Sequence, residues 1–298
     1  MMRIRLGTRE SALAMWQADT VAAALRDAGH DVELVPITSE GDRVLDTPLP
    51  LMGGKGVFTK ALDDALLAGG IDIAVHSHKD IPTAMEPGIA IGAVLEREDP
   101  RDALVVRNGL AFLESDDGLI ATGSPRRAGQ WLHRHPGHRT TDLRGNVPTR
   151  LRKLKESDWD GAIFALAGLK RLGMEHHVAL RLDWMLPAPA QGAVAVACRE
   201  GDAMVMDALQ GLHHAETAAC VRAERAYLNR LNGGCSAPVG ALAVWDGGRI
   251  VLNGNVLSPD GRDRYDIDVS GPVGNPEAVG IEAAERILER GAGWLLGS

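Results

Sequence analysis

Apolar and polar positions alternate along this chain in two rhythms. Short apolar runs at Arg3–Leu6, Val32–Ile37, Ile71–Val75 and Ile89–Leu95 predict strands. Between the first two, Leu13, Trp16, Val21 and Leu25 recur at helical spacing and predict a helix over residues 9–28, with Thr8 as its expected N-cap and Gly29 as its stop. A second helix is expected at about 57–68. The polar, Pro-bearing EREDPRDA (96–103) reads as a hinge, after which Leu119–Ala121, Arg139–Leu143 and Gly161–Phe164 predict strands with helices between them. LPAPAQGA (186–193) reads as a return crossing. A helix is expected at 214–230, then alternating runs separated by DGG (246–248) and SPDG (258–261), which indicate antiparallel hairpins, and a last helix over 276–290. The pattern predicts an α/β chain: a first lobe from 1–98 and 190–211, a second from 99–189, and a smaller α+β domain over 212–298.

Charge adds the first chemical information. The chain carries a formal net charge of -8, yet residues 122–155 hold Arg126, Arg127, Arg134, Arg139, Arg144, Arg150, Arg152, Lys153 and Lys155 against one acid, Asp142. A cationic cluster on an anionic protein focuses a field at one place. Guanidinium groups grip carboxylate or phosphate through a planar fork, so the cluster predicts a site for a multiply anionic small molecule. A nucleic-acid partner is disfavoured by the negative total and by an aromatic content of 4%. No apolar run reaches the length of a membrane span, and MMRIRLGTRESALAMWQ is too broken by charge to read as a signal peptide. Cys198, Cys220 and Cys235 are widely separated, which argues against zinc and for reduced thiols in a cytoplasmic setting.

Candidate chemistry sits where predicted strands end. HSHKDIP (76–82) puts Lys79 and Asp80 at the carboxyl end of an apolar strand, the usual place for reactive groups in α/β proteins. A surface loop in which Asp80 caps the next turn is the competing reading. His76 and His78 form an HxH pattern with no evident third ligand, so no metal is expected. TGSPRR (122–127) and LRGNVPTR (143–150) each follow a strand and open a helix, offering backbone N–H groups beside arginines. GGKGVFTK (53–60) lacks the full phosphate-loop spacing but supplies Lys55 and Lys60 for anions. NGGCSAPVG (232–240) sets Cys235 on a glycine-flanked loop where a thiol would be exposed, whereas Cys198 and Cys220 lie in apolar contexts.

Taken in order, TRESALAMWQ, GDRVLDTPL, GGKGVFTK, HSHKDIP, EREDPRDA, LRGNVPTR, AGLKRLG, PAQGA, HHAET and NGGCSAPVG span nearly the whole chain and resemble the porphobilinogen deaminase (hydroxymethylbilane synthase) family. The resemblance implies two lobes like those of periplasmic binding proteins plus a third, smaller α+β domain. It implies a monomeric, cytoplasmic transferase that joins four porphobilinogen molecules head to tail into hydroxymethylbilane, releasing ammonia, for tetrapyrrole biosynthesis. It also implies a dipyrromethane cofactor held by a thioether at the position of Cys235, and a catalytic aspartate at Asp80. Cofactor contacts carry over to Ser77, Lys79, Thr122, Ser124, Arg126, Arg127, Arg144 and Gly145. Substrate contacts carry over to Arg9, Ser11, Lys55, Arg144, Arg150 and Gln191. Two positions depart from the family pattern: TGSPRR stands where TSSLRR is common, and His78 replaces an apolar residue. A two-lobed, non-enzymatic anion binder is the alternative, and it leaves a reactive loop cysteine without a role.

Overall fold

Three sheets organise the structure, a computed structural model that describes residues 1–39, 56–233 and 237–296. The chain opens with β1 (Arg3–Thr8), then α1 (Ala12–Asp27), β2 (Asp31–Pro36), α2 (Lys60–Leu67), β3 (Ile73–Ser77) and β4 (Ile89–Val94). It crosses to a second sheet of β5 (Asp102–Val106), β6 (Leu119–Ala121), β7 (Arg139–Thr141), β8 (Gly161–Ala165) and β9 (Val178–Leu182). There α3 (Pro125–Arg134) follows β6, α4 (Val147–Glu156) follows β7 and α5 (Leu166–Arg171) follows β8. A return crossing then lays β10 (Val194–Arg199) into the first sheet, ahead of α6 (Ala203–Leu209). The orders β2-β1-β3-β10-β4 and β7-β6-β8-β5-β9 repeat one layout. In each, the inner antiparallel strand, β10 or β5, is the one that arrives from the other lobe. Each sheet is buried on both faces, so its parallel strands read as continuous apolar runs: Ile73, Ala74, Val75 and His76 are all buried in β3.

The third domain stacks α7 (Ala215–Arg230) and α8 (Pro276–Glu289) on an antiparallel meander of β11 (Val239–Asp246), β12 (Arg249–Leu257) and β13 (Arg264–Pro272). Gly247 and Gly248, at φ 51° and 85°, form the two-residue connection between β11 and β12, a backbone shape that suits glycine and matches strand twist. Tyr227 fills the core under Gly254, where a Cβ would come within 2.8 Å of the ring.

Two expectations for the first helix need correction. Thr8 ends β1, paired with Pro36, and the N-cap is Ser11, whose Oγ accepts from Ala14 N at 3.3 Å. The buried face is Ala14, Gln17, Ala18, Val21, Ala22 and Leu25, while Trp16 is exposed. Trp16 points to the second lobe instead, where the Arg171 guanidinium lies over its ring at 5.5 Å. The expected hinge also ends earlier than its polarity suggests, because Asp102 already pairs in β5.

Glu224 ties the three parts together. It is fully buried on α7, pairs with Arg97 of the outward crossing at 2.5 Å, and accepts from Ala190 N of the return crossing at 2.6 Å and from Ala243 N of β11 at 2.8 Å. Glu224→Ala would leave the largely buried Arg97 guanidinium with Gln191 O but without its carboxylate, and two amides without their acceptor. The expected cost is about 3–5 kcal/mol, read as a lower thermal unfolding midpoint; an unchanged midpoint would contradict this role.

Candidate active site

The ends of four parallel strands converge between the lobes. β1 delivers Arg9 and Ser11, β3 delivers Ser77, Lys79 and Asp80, β6 delivers Thr122 and Ser124, and β7 delivers Arg144 and Gly145. Pro125 stands at the first position of α3, where its missing N–H costs nothing, and Asn146 caps α4 by accepting from Thr149 N at 3.0 Å. Gly145 adopts φ 112°, and its carbonyl accepts from Arg150 Nε at 2.6 Å, which folds the Arg150 side chain back over the loop.

A recess of about 60 Å³ opens at the carboxyl end of the first sheet. Arg9, Ser11, Gln17, Phe58, His76, Ser77 and Asp80 line it, and Asp80 is the only acid lining it among the described residues. Arg9 lies over the Phe58 ring at 4.3 Å, and Gln17 Nε2 donates to Ser77 Oγ at 2.9 Å. Burial, helped by Arg9, pushes His76 down to about 4, so its imidazole is neutral at neutral pH.

Next to the recess runs a polar chain that crosses between the lobes. Lys79 Nζ donates to Gln191 Oε1 at 3.1 Å, and Gln191 Nε2 donates to Asp102 Oδ1 at 2.9 Å and to Pro100 O at 2.7 Å. Asp102 takes a two-pronged contact from Arg127, 3.0 Å from Nε and 2.7 Å from Nη2, and meets Arg126 Nη2 at 2.8 Å. Burial alone would push the Asp102 carboxyl up, but Arg126 and Arg127 outweigh it and hold the group well below the usual carboxylate range. Arg126 also donates to Leu186 O at 2.6 Å.

Cations nonetheless outnumber anions here. Desolvation pushes Lys79 down to about 8, with Arg127 adding to it and Asp80 and Asp102 opposing. Desolvation likewise pushes Arg150 down to about 10, again with Arg127 and with Arg144 as neighbours and Asp80 and Asp142 opposing. Five cationic groups, Lys79, Arg126, Arg127, Arg144 and Arg150, therefore share one region with Asp80 and Asp102. Such a cluster raises the free energy of the empty cleft and lowers it when carboxylates enter.

The structure thus gathers Arg9, Ser11, Ser77 and Asp80 in the recess, and Lys79, Gln191, Arg126 and Arg127 in the chain beside it, with Arg144 and Arg150 close enough to perturb their neighbours. Thr122 Oγ1 accepts from Ser124 N at 3.2 Å, so these two shape their own loop. Lys55 and Cys235 lie outside the described residues. Among the described residues no three His, Cys, Asp or Glu side chains are grouped to hold a metal, and no helix is long and apolar enough to cross a membrane. Gly123 is closely packed: a Cβ there would sit 2.8 Å from Leu143 O and 3.2 Å from Asp142 Oδ1. Sequence reading missed Asp102, Gln17 and Phe58. Gln17 had left a trace, since it is a polar residue on the buried stripe of α1.

Two lobes with matching sheets, meeting at a guanidinium-rich region that also holds Asp80 and Asp102, suit a class of protein that handles small polyanions. Comparison with known proteins narrows the class. The profile of "Porphobilinogen deaminase, dipyromethane cofactor binding domain" matches residues 4–207, and that of "Porphobilinogen deaminase, C-terminal domain" matches 218–289. A porphobilinogen deaminase of Syntrophotalea carbinolica is 47% identical, covering 98% of this chain and 95% of that protein. One of Pelobacter propionicus is 44% identical, covering 99% and 96%. Among solved structures, the methionine-binding protein MetQ aligns at a TM-score of 0.45 and 14% identity over 70% of this chain and 89% of its own. The chain belongs to the porphobilinogen deaminase family.

Proposed function

We propose that Asp80 and the cationic side chains around it carry the family's reaction in this chain, with Cys235 as the point of covalent attachment. That reaction polymerises porphobilinogen into hydroxymethylbilane in tetrapyrrole biosynthesis, and the chain is a transferase that uses a dipyrromethane cofactor. The observation that carries the residue assignment is the pairing of one recess carboxylate, Asp80, with a surplus of buried cations next to it.

The donor set fits a dipyrromethane, whose acetate and propionate groups need guanidinium forks and whose pyrrole N–H groups need an acceptor. Arg126 Nε, buried and without a hydrogen-bond partner among the described residues, supports the same fit. The group, when bound, supplies the pyrrole carbon to which the first substrate is joined and a tether that keeps the growing chain at high effective concentration. Arg126, Arg127 and Arg144 hold carboxylates, and Lys79 adds a point charge that Gln191 orients. Arg9, Ser11 and Arg150 orient the incoming porphobilinogen. Asp80 accepts pyrrole N–H groups and faces the positive charge that develops on the substrate as ammonia departs. Its carboxylate also serves as the base that takes the proton displaced from the attacked ring carbon. Gln191, whose amide is engaged by Lys79 and Asp102, acts on the substrate through Lys79.

Cys235 is supported as the anchor by the state of the other thiols. Cys198 and Cys220 are buried, and burial pushes both thiols up, Cys220 to about 11, which leaves them poor nucleophiles. Those reduced, buried thiols also accord with a cytoplasmic location. A division at 1–98 with 190–211, 99–189 and 212–298 accords with the membership of the three sheets, and a monomer is the state the family resemblance implies.

Lys79 gives this reading a pH test. Its ammonium is charged below about 8 and loses its charge above, so its help to carboxylate binding fades as pH rises through that value. The ratio of kcat/KM between wild type and Lys79→Gln is expected to shrink toward unity across that range, and the substrate's own titration cancels in the ratio. A ratio that stays flat from about pH 7 to 9.5 would remove Lys79 from substrate or cofactor binding.

A further inference from the structure

The turn that carries Asp80 is short and weakly held by itself. Residues His78–Asp80 make a single 3-10 turn closed by Ile81 N donating to His78 O at 3.2 Å. Such turns have poor hydrogen-bond geometry and do not fix a side chain to the tolerance that catalysis requires. Something outside the turn must hold it.

Arg225 reaches the turn from the third domain. From α7 its Nη1 donates to Ile81 O at 2.9 Å and, more loosely, to His78 O at 3.4 Å, while its Nη2 donates to Pro82 O at 2.6 Å. One guanidinium thus spans the carbonyls on both sides of Lys79 and Asp80. Hydrogen bonds from a charged donor are roughly twice as strong as neutral ones, and the planar fork fixes direction as well as distance.

The base of this tether is itself immobilised. The preceding residue, Glu224, projects about 100° away around the helix and is locked to Arg97, Ala190 and Ala243. Adjacent residues of one helix therefore grip the two crossings and the Asp80 turn. On the opposite side, His78 N donates to Ala193 O at 3.0 Å, so the turn is clamped between the return crossing and α7.

We propose that Arg225 is a positioning residue for the reaction: it sets the placement of the Asp80 carboxylate from the third domain and touches neither substrate nor cofactor. The proposal rests on the assignment of Asp80 made above. A misplacement of about 1 Å at a reacting group can cost on the order of 10²-fold in rate, which sets the scale of the effect.

The test follows the addition of the first substrate unit by intact mass over a range of porphobilinogen concentrations up to saturation, using the cofactor-loaded protein. Arg225→Met keeps the length of the side chain and removes every donor. It is expected to retain the covalent cofactor, lower kcat by about 10–100-fold and leave KM within about twofold. Arg225→Lys, which keeps the charge without the fork, should fall between it and wild type, and serves as the reading if Arg225→Met does not fold. In an Asp80→Asn background, Arg225→Met should add less than about twofold, since the group it positions is already gone. Wild-type kcat in Arg225→Met overturns the proposal, as does the same fold-loss in the Asp80→Asn background as in wild type. If Asp80→Asn alone turns over normally, the assignment of Asp80 fails instead, whatever the Arg225 variants do.

Discussion

Asp80→Asn is expected to lower kcat by about 10³-fold or more, with the covalent cofactor still attached and KM little changed. Asn preserves the volume and one acceptor oxygen, so the recess should keep its shape. What it removes is the negative charge. In the site proposed above, loss of ammonia from porphobilinogen would leave positive charge near Lys79, Arg127, Arg144 and Arg150, where Coulomb repulsion works against it. The guanidiniums proposed to hold the carboxylates of the growing chain would therefore oppose the reacting centre. Asp80, the only acid lining the recess among the described residues, is placed to reverse that sign locally. The effect falls on the transition state and not on binding, so kcat and kcat/KM should drop together. Steady-state turnover with intact mass as a control reads both parts. A kcat within tenfold of wild type would take Asp80 out of the chemistry.

Cys235→Ala is expected to give a folded protein at the bare sequence mass with no sustained turnover. Cys198 and Cys220 cannot substitute, because both thiols are buried and pushed up by desolvation. The arginines of the cleft should still attract carboxylates in this variant, but without a tether each condensation becomes a bimolecular event and loses the effective-molarity advantage. A normal adduct mass in Cys235→Ala would move the attachment to another residue.

What could be read from the sequence, and what could not, follows from the range of each interaction. Lys79 and Asp80 were legible because the apolar run before them fixes a buried strand, and its end fixes where they emerge. The arginines were legible as a charge cluster within one stretch. Asp102 was not, since its segment is polar and Pro-bearing like a hinge, while Arg126 and Arg127 lie more than a helix away in sequence. Glu224 and Arg225 fall inside the helix expected over 214–230, and nothing local sets them apart. Their partners, Arg97 at 127 residues' separation and Pro82 at 143, appear only when the third domain docks. Trp16 misled for the opposite reason: its apolar character suits the second lobe's Arg171, not the sheet beneath α1. The antiparallel placement of β5 and β10 left no periodic signal, because side-chain alternation is the same in either strand direction.

In the proposed reaction a thiol-tethered oligopyrrole grows in an arginine-lined cleft beside the Asp80 carboxylate. Intact mass spectrometry of the purified, active protein before and after a brief exposure to porphobilinogen tests it most directly. The expected starting mass lies above that of the sequence by two linked pyrrole units, followed by a ladder rising by one unit per addition. An active protein at the unmodified sequence mass, with no ladder, would contradict it.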